Sequence, residues 1–413
     1  SIVDAQGRKE PVQVLEDELI FVARQVPAFG FQVYRLSEEP ADVAPDSPGI
    51  NDDLTLENDL LRLKVHPASG AIEWLWDKEH ARWVTPPPPG HGAERKIGTG
   101  TLNCLQIAYE QPHPMSAWNI GEITRIDNLI SGASVRCVSQ GPVCIAVDVT
   151  RRVLNSSLRQ RLCLYRGLRR IDVDTELQWN EQGGPDVDAP MLRVVCTPSL
   201  QDGHATFEIP FAALERPADG NEVPALRWAD VSDGTYGLSL LNNGKYGYHA
   251  HYHTLGMTLV RSSYDPDPLP DKGLHRFTYS LYPHAGTWRE AGSTQRAAEL
   301  NQPLLWSMVE GKRSGTLKPG EALFSCTSES VLVSALKLAE DQPQAGVQVV
   351  VRLYEAHGRR SHAVITSACP IQHAEETNLI EDRKRALPVV GSHQVRLSFK
   401  PHQIRTVRLQ YSL

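Results

Sequence analysis

The chain has 413 residues, 41% of them hydrophobic and 22% charged, with a formal net charge of −7. That is an ordinary globular composition, long enough for two or three domains. An acidic balance offers no basic face to nucleic acid, and no apolar run approaches the roughly 20 residues of a membrane span, so neither is expected as a partner.

In chain order, residues 1–49 form a short β segment that closes in a Pro/Asp-rich linker, EPADVAPDSPG. Two or three strands are too few to bury a core, so this segment is expected to take partner strands from elsewhere, the last block included. Residues 50–302 form a large β unit, too long for one immunoglobulin-type sandwich of roughly 100 residues. Residues 303–413 form a smaller terminal sandwich. The dominant period is two. Ile171, Val173, Thr175, Leu177 and Trp179 alternate with Asp172, Asp174, Glu176 and Gln178. Val347–Leu353, Val395–Phe399 and Val407–Leu413 repeat the pattern. One face in a core and one in water is the signature of antiparallel sheets packed as sandwiches. The one helical candidate is Gly292–Leu300, with Ser293 or Thr294 as its cap.

No charged-then-apolar leader is visible at Ser1; a removed leader or a removed amino-terminal region would give the same picture. The seven cysteines are odd in number, irregularly spaced and free of C-x-x-C pairs. Free thiols in a reducing cytoplasm are expected, with a Cys137–Cys144 bridge across a hairpin as the alternative.

The segment Arg227–His284 gathers Trp228, Tyr236, Tyr246, Tyr248, Tyr264, Tyr279 and Tyr282 among Asp230, Asp233, Asp265, Asp267 and Asp271. Aromatic faces beside carboxylates and amides are what a sugar site needs, since C–H faces stack on rings and polar groups bond hydroxyls. Within it, Asn242–Tyr248 (NNGKYGY) reads either as a hairpin with aromatic packing or as a loop lending Lys245 and Tyr246 to a sugar. In the strand reading, Tyr246 and Tyr248 share one face. His249, His251 and His253 follow at spacing two and would share a strand face, where two or three could hold a metal; a solvated His-rich strand explains them equally. The loop Arg261–His275 is stiffened by prolines. Its spaced aspartates lack the glycine and glutamate of a calcium loop. In Gln106–Gly121, Trp118 would stack on a ring or close a core. Asp172, Asp174 and Glu176 are accounted for by solvent exposure. No nucleophile motif, H-E-x-x-H or nucleotide-binding fingerprint is present, so no catalytic residue and no metal ligand is assigned.

Several stretches carry a resemblance. They are Val12–Leu36, Leu56–His80 (LENDLLRLKVHPASGAIEWLWDKEH), Gly100–Gly121 (GTLNCLQIAYEQPHPMSAWNIG), Arg169–Gln182, Phe207–Pro217 and Arg227–His284. In this order they resemble the carboxy-terminal β-region of the family 38 glycoside hydrolases, the class II α-mannosidases. The resemblance implies an all-β fold: a galactose-mutarotase-like supersandwich flanked by small β-sandwiches. It implies retaining, zinc-dependent hydrolysis of mannose-containing glycans. The nucleophile and the zinc belong to an amino-terminal catalytic domain that this chain lacks, so the chain alone is expected to be inactive and to hold no cofactor. Its expected contribution is the rim of the site: Trp118, Asn119, Lys245, Tyr246, Arg261, Asp271 and His275. Three positions depart from the family's pattern. Asn119 and Asn243 stand where Asp is common, and Glu110 stands for Asp before x-Pro. The first two remove a negative charge and keep a hydrogen-bonding side chain. The alternative to a hydrolase part is a stand-alone carbohydrate-binding supersandwich. A mutarotase-like epimerase is a third reading, resting on fold alone.

Overall fold

The computed structural model describes residues 1–41, 47–88, 100–311, 315 and 317–412. The expected 39–49 linker therefore lies partly outside the described residues, as does Leu413. The protein is almost entirely antiparallel β, as the alternation requires. Two large sheets face each other across the main core. One has six strands, in the order Ile123–Asn128, Cys104–Glu110, Ala189–Cys196, Thr254–Arg261, Gly247–His251 and Asp219–Pro224. The other has nine, from Ala133–Gln140 through Cys144–Val153, Ser156–Tyr165, Ile171–Trp179, Gly273–Ala285, Tyr236–Asn242, Trp228–Ser232 and His204–Ile209 to Ala212–Arg216. This is the expected supersandwich. A five-stranded sheet spanning Gly49–Trp83 joins the same core through Leu56, Leu61, Leu63, Ile72 and Leu75.

The strand Ile171–Trp179 shows why the sequence folds this way. Its five odd-numbered residues, Ile171 to Trp179, are all buried, and burying each of the larger side chains contributes about 1.5–3 kcal/mol. On the other face Asp174 and Gln178 are exposed and Glu176 is partly so, as expected, and the reading is corrected at Asp172 alone. Asp172 is buried, its carboxylate accepting from Ser280 Oγ at 2.6 Å and pairing with Arg170 at 2.9 Å. Its cross-strand neighbour Ser280 and nearby Arg170 cover Asp172 in particular.

A second core, built from residues between Phe324 and Leu409, lies between a four-stranded and a five-stranded sheet. The first residues are tied to both units. Gln13 accepts the N–H groups of Val143 and Cys144 at 3.0 and 2.9 Å. Gly30 forms a β-bridge with Ala322. The helix runs Ser293–Asn301 and is capped by Gly292 in the left-handed conformation, with no side-chain cap. Ser293 is not available as a cap because its hydroxyl is spent on Ser239 Oγ, 2.7 Å away, and Thr294 makes no cap bond either. All seven cysteines are free. Register places Cys137 opposite Val147 and Cys144 opposite Tyr165, so the two never face each other. No helix among the described residues is long and apolar enough to cross a membrane.

Candidate functional site

Three connections emerge at one end of the six-stranded sheet. Register fixes this: Glu110 pairs with Ala189, Met191 with Arg261, and Tyr248 with Met257. The end of Cys104–Glu110, the end of Thr254–Arg261 and the start of Gly247–His251 are therefore neighbours. The loops Gln111–Glu122, Asn243–Tyr246 and Ser262–Lys272 leave from them.

Two of these loops are latched to each other. The Arg261 guanidinium donates from Nε to Glu110 Oε2 at 2.7 Å and from Nη2 to Oε1 at 2.6 Å, and Nη2 also reaches the Asn119 carbonyl at 2.7 Å. Glu110 Oε1 accepts the Gly121 N–H at 2.6 Å and sits 2.7 Å from His113 Nε2. Burial pushes the Glu110 carboxyl up, but these donors outweigh it and hold its pKa below the ordinary value. Ser116 Oγ accepts the N–H groups of Tyr264 and Asp265, both at 3.0 Å. Asp265 returns the contact, taking the Met115 N–H on its carboxylate at 2.6 Å and the Ala117 N–H on its carbonyl at 3.0 Å.

The third connection is not a hairpin. Asn243–Tyr246 carries the chain from Tyr236–Asn242 in the nine-stranded sheet to Gly247–His251 in the six-stranded one. The Asn242 side chain turns it by accepting the N–H groups of Gly244 and Lys245 at 2.7 and 2.6 Å. Because the strand begins only at Gly247, Tyr246 and Tyr248 do not share a face: Tyr246 is 60% exposed and Tyr248 is fully buried. Lys245 is half-buried, its ammonium 4.1 Å from the Phe277 ring centroid. Burial lowers its pKa, partly offset by the nearby Asp271 carboxylate. His275 Nε2 donates to the Asp271 carbonyl at 2.6 Å, pinning the end of the proline loop. Asn243 accepts the Thr278 N–H at 2.9 Å, a bond that an aspartate would make equally.

The structure thus brings Asn119 and Arg261 into one latch, with Trp118 next to Asn119 on the latched loop, and sets Lys245 near Asp271, whose carbonyl holds His275. Trp118, 65% exposed, closes no core. Most of the aromatic cluster goes the other way. Trp228, Tyr236, Tyr248 and Tyr279 are buried and are packing residues: Tyr236, Tyr248 and Tyr279 fill the main core, and Trp228 packs against Trp288 and the helix residue Ala297. Glu110, Ser116 and Asp265 were not among the expected rim residues. Their signal was local and weak, an acid ending an alternating strand and polar residues in Pro-rich loops, while their partners lie far off in sequence.

The three histidines do not form a ligand set. His249 is buried with Nδ1 3.4 Å from Glu222, His251 packs on Tyr252, and His253 lies in the turn beyond the strand. Among the described residues no group of three or more His, Cys, Asp or Glu is placed to hold a metal ion. A hollow of about 400 Å³ lies elsewhere, on the outer face of the nine-stranded sheet, lined by Thr150, Arg152, Ser157, Arg159, Glu176 and Gln178 among others. A smaller hollow lies against the Ser262–Lys272 loop, lined by Trp179, Glu181, Ser262, Leu269, Pro270 and Asp271 among others.

Comparison with known proteins agrees with this architecture. Residues 56–269 match the model of the "Glycosyl hydrolases family 38 C-terminal domain", and residues 330–407 match the "Glycosyl hydrolases family 38 C-terminal beta sandwich domain". Alpha-mannosidase 2C1 of Mus musculus is 34% identical over 388 residues, covering 91% of this chain. Alpha-mannosidase G of Dictyostelium discoideum is 30% identical over 265 residues, covering 62% of this chain and 23% of its own length. A crystal structure of an alpha-mannosidase from Enterococcus faecalis V583 superposes with a TM-score of 0.73 at 14% identity, over the whole of this chain and 50% of that one. The chain spans 35% of the length of the mouse relative, about a third. It belongs to glycosyl hydrolase family 38, as the carboxy-terminal region.

Proposed function

We propose that the chain is the non-nucleophilic β-region of an α-mannosidase, forming the rim of a site for mannose-containing glycans whose bond-breaking groups lie in an amino-terminal catalytic part. The observation that carries this reading is the latch of Arg261 on Glu110, which holds two polar and aromatic loops together at one end of the six-stranded sheet. Trp118 presents an indole face for a sugar ring. Asn119, Lys245, Tyr246, Asp271 and His275 supply groups for its hydroxyls. Arg261 is a positioning residue, its guanidinium already committed to Glu110 and the Asn119 carbonyl. The retaining mechanism and the zinc are assigned to the amino-terminal part. The described residues offer no fitting ligand set. The free cysteines support a reducing, cytoplasmic setting.

The test is an aryl α-mannoside assay of the chain alone with added zinc, paired with a binding titration of an α-mannose disaccharide. We expect no turnover above a heat-killed control, and binding that Trp118→Ala weakens. Turnover that disappears on mutating a carboxylate of this chain would overturn the proposal.

A further inference from the structure

Directly after the helix Ser293–Asn301 the chain runs without regular structure from Pro303 to Glu310, with its apolar side chains in water. Leu304 is 62% exposed, Leu305 97%, Trp306 83%, Met308 81% and Val309 63%. Scattered exposed apolar residues are ordinary, but a contiguous run of this size marks an interaction surface. Trp and Met are also among the residue types enriched at the centres of interfaces. Among the described residues, Pro303–Glu310 makes no hydrogen bond that would tie it to the rest of the chain. Its point of departure is the candidate rim. Asn301 Nδ2 donates to the Asn242 carbonyl at 2.8 Å, and Asn242 opens the turn that carries Lys245 and Tyr246.

We infer that Leu304–Val309 is a docking strap for the amino-terminal catalytic part of the enzyme. This rests on the function proposed above. A partner that completes the rim sits beside Tyr246 and therefore beside the strap that starts there. The strap carries no charge between Pro303 and Val309, so it fits an apolar partner surface. In the relatives there is ample polypeptide to provide one, since the matched region is 35% of the mouse protein and 50% of the E. faecalis chain.

The probe is the part of mouse Alpha-mannosidase 2C1 outside the matched residues, purified and titrated with the 413-residue chain. Leu305→Asp with Trp306→Asp is compared with Ile380→Asp, a residue 78% exposed in the terminal unit. Both variants should melt like the wild type, because every substituted side chain is in water. We expect binding by the wild type, loss of about tenfold or more in affinity for the double variant, and no change for Ile380→Asp. Equal binding by the double variant would overturn the strap while leaving the proposed function standing. A wild-type dimer in sedimentation that the double variant dissolves would assign the strap to a second copy and overturn it likewise. Failure of the wild type to bind the probe would overturn the strap together with the reading beneath it.

Discussion

Arg261 closes a two-pronged ion pair on Glu110, a residue 151 positions earlier, with N–O distances of 2.7 and 2.6 Å. Glu110 is almost fully buried, and the Arg261 side chain is 14% exposed. Breaking one side of such a pair leaves an uncompensated charge. Glu110→Gln and Arg261→Ala should each destabilise the large unit by about 3–5 kcal/mol, read as a lowered Tm. Arg261→Lys should not rescue it, because an ammonium cannot make the fork.

The same pair gives a pH dependence of known sign. The folded Glu110 carboxyl lies below its ordinary value of 4.5, despite the opposing effect of burial. Its contribution is therefore fully present above that value and is lost as pH falls through the folded pKa. The Tm difference between wild type and Glu110→Gln should be constant near neutral pH and shrink below pH 4.5. A difference that grows on acidification would contradict the assignment.

Thiol chemistry should separate the exposed from the fully buried cysteines, with the partly buried Cys326 between them. Cys137 and Cys369 are exposed, whereas Cys104, Cys144, Cys163 and Cys196 are buried. Burial pushes Cys104 and Cys144 up to about 11 and Cys196 up to about 12. Under native conditions a thiol reagent should modify the two exposed residues rapidly and the buried four only on unfolding, since the thiolate is the nucleophile. Reductant should leave the Tm unchanged. A drop of many degrees would reveal a structural disulfide, which typically contributes about 2–4 kcal/mol.

At the rim, stability and recognition should separate. Trp118 and Tyr246 are 65% and 60% exposed, and surface substitutions of this kind usually change stability by less than about 0.5 kcal/mol. Tyr246→Phe should weaken mannoside binding by only one hydrogen bond, about 0.5–1.5 kcal/mol. Trp118→Ala should weaken it more, with the Tm of both variants unchanged. Calorimetry alongside the glycan titration checks both quantities.

The helix is anchored by a buried polar cluster. His284 Nε2 and Asp230 Oδ2 are 2.7 Å apart, and Ser239 Oγ bridges Asp230 to Ser293 at 2.7 Å on each side. Asp230→Ala should cost about 1–3 kcal/mol or more by stranding these donors. Ser293→Ala should cost less, because Ser239 keeps its bond to Asp230. Urea titration of both variants measures the difference.

The sheets were legible in the sequence because burial acts residue by residue along a strand. Ile171 to Trp179 announce their core face by alternation alone. The candidate site was only partly legible, because what builds it is pairing between distant segments. Arg261 was expected at the rim and Glu110 stood out only as a departure from the family's pattern, and nothing local paired the one with the other. Nothing local said that Asn242–Tyr248 would pass between sheets rather than turn back within one, which is why Tyr246 and Tyr248 were expected on one face. The aromatic segment misled for a related reason. Composition cannot separate a ring that lines a sugar site from one that fills a core; only the fold puts Tyr279 in the main core and covers Trp228 with Trp288 and the helix, while leaving Trp118 outside.

Ser116 and Asp265 each hold the other's loop, with Ser116 taking two amide protons from Tyr264 and Asp265, and Asp265 taking those of Met115 and Ala117. Neither loop can lift away without releasing the other's amides. In kinetic terms the pair is a single opening unit, so the protons on Met115, Ala117, Tyr264 and Asp265 should exchange with solvent through one shared event and carry one common protection factor.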